Sequence, residues 1–142
     1  MDQPVTELRA QIEEMESSYE FLISFAGQGV GREAVQSSTD QIREFVTGFE
    51  ESLDAAVDAA LAVPEEHDEL DTEAYLTFVE DLSAEVEEAR NVLVLLGQQD
   101  RITSAQVDNM NGMSVFQSVV MKLFFLDELT DHLERNSGDE DE

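Results

Sequence analysis

Apolar residues recur along this chain in alternating steps of three and four. They fall at Leu8, Ile12, Met15, Tyr19, Leu22 and Ala26, the seam of a helix that buries one face in a bundle. Phe21, Ile23 and Phe25 widen that stripe toward its end, and Gly27, Gly29 and Gly31 are expected to stop the helix. A second stripe reads Ile42, Val46, Phe49, Leu53, Ala56 and Ala60, with Val57 and Leu61 alongside. Its helix begins between Arg32 and Asp40, where Ser38, Thr39 and Asp40 each suit a cap, and Pro64 ends it. Gly48 lies inside it at a cost of about 1 kcal/mol against alanine, and lets a neighbouring helix come close.

After an acidic linker from Glu65 to Leu70, Asp71 or Thr72 caps a third helix with the stripe Tyr75, Phe78, Leu82, Val86, Ala89, Leu93 and Leu96. Gly97 closes it. Thr103-Ser104-Ala105-Gln106 has the capping-box pattern, which predicts one short helix from about Ser104 to Met110, ended by Asn111-Gly112. The last long helix is expected from about Ser114 to Arg135, and its middle is apolar nearly all round. No alternating run argues for a strand. The pattern therefore predicts an all-α fold, an antiparallel four-helix bundle with one additional short helix. Residues 1–136 form that single domain, and 137–142 are expected to be a disordered acidic tail without a large apolar group.

Charge changes the picture more than composition does. Hydrophobic residues make up 42% of the 142, enough for a packed core, so the chain is not an acidic disordered segment. Yet 34 Asp and Glu face 7 basic residues, a formal net charge of −27, and Lys122 is the only lysine. That many like charges oppose compaction in dilute buffer, and concentrated salt screens them. Surplus acid with scarce lysine resembles the general composition of proteins from salt-accumulating organisms; the rival reading is an acidic face that mimics nucleic acid. Direct contact with nucleic acid or anionic lipid is not expected, because phosphate recognition needs clustered Lys and Arg. The N-terminal stretch carries no signal-peptide pattern, and the apolar run from Met113 to Leu126 is short for a membrane span and holds Gln117 and Lys122. A cytoplasmic location away from the membrane is the expectation.

Candidate chemistry is thin. With no cysteine, disulfides, thiolate metal sites and cysteine nucleophiles are excluded together. The string Gly27-Gln28-Gly29-Val30-Gly31 could offer backbone N–H groups to an anion, with Arg32 beside it. It follows a helix instead of a strand and lacks a Lys-Ser/Thr, so a helix end and turn explains it as well. His67 sits among acids in an expected exposed linker, and His132 shares a helix face with Glu128. Neither lies in a Glu-x-x-His step, so a di-iron bundle is rejected and no cofactor or metal is expected. Carboxylate pairs are too common here to mark acid–base chemistry, and no Gly-x-Ser-x-Gly elbow accompanies the serines. Lys122 is expected to snorkel or to pair with an acid such as Glu128. The stretch Asp108 to Met113 lacks the acid spacing of a calcium loop.

What is left over is surface. Val115, Val119, Leu123, Leu126 and Leu133 already supply one apolar seam for the last helix. Met121, Phe125 and Leu129 recur every four residues on a different side, a strip that a monomeric bundle leaves wet unless the short helix near Ser104–Met110 or the Arg32–Ser38 segment folds over it. The leading expectation is a non-catalytic interaction or scaffolding subunit, a homo-oligomer or a subunit docked on a protein partner. An acidic antagonist of a nucleic-acid-binding protein comes second, and a small-ligand bundle or enzyme using the Gly27–Gly31 loop third.

Overall fold

The computed structural model describes residues 3–28 and 39–140. Five α-helices, α1 (Gln3–Gln28), α2 (Thr39–Ala62), α3 (Thr72–Gly97), α4 (Ser104–Asn111) and α5 (Ser114–Glu140), account for nearly all of them, and no strand occurs among the described residues. The fold is all-helical.

Local chemistry sets the helix starts. Asp71 caps α3, its carboxylate accepting the Ala74 N–H at 3.0 Å. Thr103 and Gln106 form the reciprocal box at the start of α4, Gln106 N to Thr103 Oγ1 at 3.2 Å and Thr103 N to Gln106 Oε1 at 2.9 Å. Pro64 stops α2, but the chain tightens into a 3₁₀ turn, Val63–Glu66, before turning away. That proline leaves a gap. The α-helical donor to the Ala60 carbonyl would be residue 64, which has no N–H, and the Tyr75 hydroxyl from α3 donates to it at 2.8 Å instead. A side chain thus completes the end of α2 and ties it to the start of α3.

Packing follows the stripes. Leu8, Ile12, Met15, Leu22, Phe25 and Ala26 of α1 are buried against Ile42, Val46, Phe49, Leu53, Ala56 and Ala60 of α2. In α3 the buried set is Tyr75, Val79, Leu82, Val86, Ala89, Leu93 and Leu96, so Val79 takes the place that the spacing gives to Phe78. α5 buries Val115, Phe116, Val119, Val120, Leu123, Leu126 and Leu133. Phe116 and Phe49 meet in the centre with ring centroids 6.0 Å apart, and Tyr19 joins Phe49 at 5.7 Å. Gly48 admits the close approach its position predicts: a Cβ there would lie 3.4 Å from Ser18 Oγ of α1.

Neighbouring helices are α1 with α2, α2 with α3, α3 with α5 and α5 with α1, and α4 lies against α1 and the α5 end of the ring. Early residues of one helix meet late residues of the next. Phe21 stacks on Phe45 at 3.7 Å, Arg43 reaches the end of α3, and Arg9 reaches Asp127 and Asp131 of α5.

Three expectations need correction. Leu61 is exposed: it is still helical, in the last turn of α2, but its side chain faces away from the core that takes Ala59 and Ala60. α5 continues past Arg135 to Glu140, so residues 137–140 are helical where a disordered tail is expected. Extending an existing helix needs no new nucleus, and Gly138 alone is too small a penalty to end it. His67 is the third. It is buried, 2% exposed, because the turns His67 N to Pro64 O and Leu70 N to His67 O fold the linker inward.

Candidate functional site

Seven bases among so many acids could have formed a patch. The structure spends most of those described as clasps between helices. Arg43 donates to Gly97 O at 2.9 Å and Gln99 O at 2.7 Å, supplying the C-terminal cation that α3 itself lacks, and holds Asp40 at 2.9 Å. Arg90 of α3 reaches Glu50 and Asp54 of α2. Arg9 joins α1 to Asp127 and Asp131. Lys122 reaches across to α3 and donates to Glu85 Oε1 at 2.8 Å, while Ser118 donates to the same carboxylate at 2.9 Å. Its partner is therefore Glu85, an acid on another helix, and not Glu128. Cations held this way lower the repulsion between acidic helices.

The glycine string divides. Gly27 is helical, inside the last turn of α1, and a Cβ there would meet nothing within 4 Å. It does not stop the helix, which runs one residue further to Gln28. Gly29, Gly31 and Arg32 lie outside the described residues.

The histidines separate as well. His67 Nδ1 lies 3.1 Å from Glu69 Oε2, and the Glu69 carboxyl is held below its ordinary pKa by its own backbone N–H and then by His67. His132 is exposed. Among the described residues no cluster of His, Asp and Glu has the spacing to hold a metal ion, and no described helix is long and apolar enough to cross a membrane. Burial raises the pKa of both tyrosine phenols, Tyr75 above all.

The outer side of α5 is different in kind. Met121 is 68% exposed and Phe125 56%, with Phe124 beside them at 39%. Leu129 is half-buried. Phe125 leans on Phe78 of α3, centroids 5.4 Å apart, so the apolar face spans two helices. Beside it opens a cleft of about 300 Å³ lined by Leu70, Ala74, Tyr75, Phe78, Phe125, Leu126 and Leu129, with Asp71 at its rim. That volume is at the floor for small-ligand sites, room for one large side chain. Met121, Phe125 and Leu129 are thus brought together, and periodicity missed what completes the site. Phe78 was hidden because it lies next to Val79, and spacing alone cannot say which of two adjacent apolar residues faces the core. A larger open groove runs between the start of α1 and the end of α2, lined by Gln3, Thr6, Glu7, Asp58, Ala59 and Glu66.

No protein-family model, curated protein or solved structure matches the chain.

Proposed function

We propose that this chain is a non-catalytic interaction subunit of a salt-rich cytoplasm, an antiparallel four-helix bundle of α1, α2, α3 and α5 with α4 as the added short helix, acting by self-association or by docking on a protein partner through the outer face of α5. The start-to-end contacts between successive helices support the bundle. The observation that carries the function is the exposure of Met121 and Phe125 on a face that continues through Phe78 into an apolar cleft. Leaving such side chains wet forgoes about 25 cal/mol for every Å² of apolar surface, and contiguous exposed patches of this kind mark contacts. High salt favours association here, because it screens the acidic rims that hold two copies apart.

Phe125→Glu tests the reading. A folded monomer, with helical content unchanged and association lost, supports it. Loss of the fold would return the strip to the core of a single chain and overturn it.

A further inference from the structure

The outer face of α5 carries both a protrusion and a recess. Met121 is the most exposed large apolar side chain described, and further along the strip the cleft between Phe78 and Leu129 opens between α3 and α5. A homodimer about a two-fold axis needs one patch that is complementary to itself. A knob and a hole on one surface meet that condition, since one two-fold axis lying in the surface exchanges them. We propose that a second copy of this chain seats its Met121 in the cleft walled by Leu70, Phe78, Phe125 and Leu129, and receives the first copy's Met121 in its own; this rests on the self-association reading above.

The chemistry of the recess selects the occupant. Its walls are apolar or aromatic except for Asp71 at the rim, one of whose carboxylate oxygens caps Ala74 N. Methionine suits it: an unbranched thioether adapts to an irregular hole and makes favourable sulfur contacts with Phe78 and Phe125. The area is also sufficient. A fully buried aromatic side chain covers about 150–250 Å², so the exposed parts of Met121, Phe124, Phe125 and the cleft walls come to about 400 Å² of apolar surface per copy. Two copies bury about 800 Å², and at roughly 60% apolar character that corresponds to an interface of about 1,300 Å², within the range of specific complexes. Lys122 borders the strip, and its bond to Glu85 leaves two of its three donors for the acidic rim of the second copy.

The chain has no cysteine, so introduced ones report cleanly. Met121→Cys and Ala74→Cys are made as single variants, Ala74 being an exposed residue at the lip of the cleft. Within one chain they are far apart. Phe78 meets Phe125, Ala74 lies one turn before Phe78, and Met121 lies one turn from Phe125 in the direction away from Leu129, so about two turns, roughly 11 Å, separate their levels. In molar KCl a short bismaleimide should link the two variants when they are mixed, and neither variant alone. Ala74→Trp, which fills the recess without touching the core, and Met121→Ala should each raise the dimer dissociation constant about a hundredfold, because two seated methionines are withdrawn per dimer. A wild-type dimer whose mixed variants do not link, or whose mass survives Ala74→Trp, would overturn this seating while leaving self-association standing. A wild-type monomer would overturn both.

Discussion

Replacing Tyr75 by phenylalanine removes one oxygen from a buried position and should be costly for a reason specific to this chain. Tyr75 is buried, and its hydroxyl donates to Ala60 O at 2.8 Å, a carbonyl whose helical donor is missing because residue 64 is proline. The lost bond is worth about 1 kcal/mol net, and stranding a buried carbonyl adds a desolvation penalty, so about 2 kcal/mol in total is expected. At about 2.1 cal/mol/K of unfolding entropy per residue, that lowers Tm by about 7 °C for a chain of this length. Urea unfolding at fixed molar KCl measures it directly. The decisive arm is a double-mutant cycle with Pro64→Ala, which restores an N–H at position 64. Pro64→Ala should be more favourable by about 1 kcal/mol in the Tyr75→Phe background than in the wild type. Strict additivity, or a Tyr75→Phe cost below about 0.5 kcal/mol, would refute the idea that the tyrosine substitutes for the proline's missing donor.

Stability should rise with salt: thermal melts between about 0.1 M and 3 M KCl, a range over which the Debye length falls several-fold, should show an increasing Tm, and a flat or falling trend would mean that the acid surplus answers to something other than self-repulsion. Gly27→Ala should stabilise by about 0.5–1 kcal/mol, because the site is helical with open space around it; destabilisation in urea titrations would show that the glycine is needed for the loop after it. Both tyrosines have a folded pKa above the ordinary value of about 10, so the stability they contribute is present below that pH and is lost as pH rises from there through the folded value. Absorbance titration of the folded protein should therefore show delayed tyrosinate formation, and ionisation at the free-tyrosine pH would contradict the burial of Tyr75 and the partial burial of Tyr19.

How much of this was legible in the sequence depends on what each residue's position rests on. The seams of α1 and α2 follow from spacing, because a helix repeats every 3.6 residues and Leu8 to Ala26 or Ile42 to Ala60 keep that period. The caps at Asp71 and Thr103 were legible for the same local reason. In α3 the pair Phe78-Val79 defeats periodicity, and the helix rotation that buries Val79 is also what turns Phe78 toward Phe125. His67 was not legible at all. Its surroundings are acidic in sequence, and its burial comes from two turns after Pro64. The partners of Lys122 and Arg90 were hidden by abundance: acids occur on every helix, so only three-dimensional packing selects Glu85, Glu50 and Asp54. Of the candidate surface, Met121, Phe125 and Leu129 were visible as a second stripe on α5; the cleft was not, because Leu70 and Phe78 come from elsewhere in the chain.

The mass of the wild-type protein in solution tests the interaction-subunit account most directly. Light scattering after size exclusion in molar KCl, at loading concentrations of about 10–100 µM, reads association constants of the strength a modest interface provides. The account predicts a mass of at least twice the 15.9 kDa of one chain, falling toward a single chain on dilution. A mass of one chain throughout that range would contradict self-association through the α5 face.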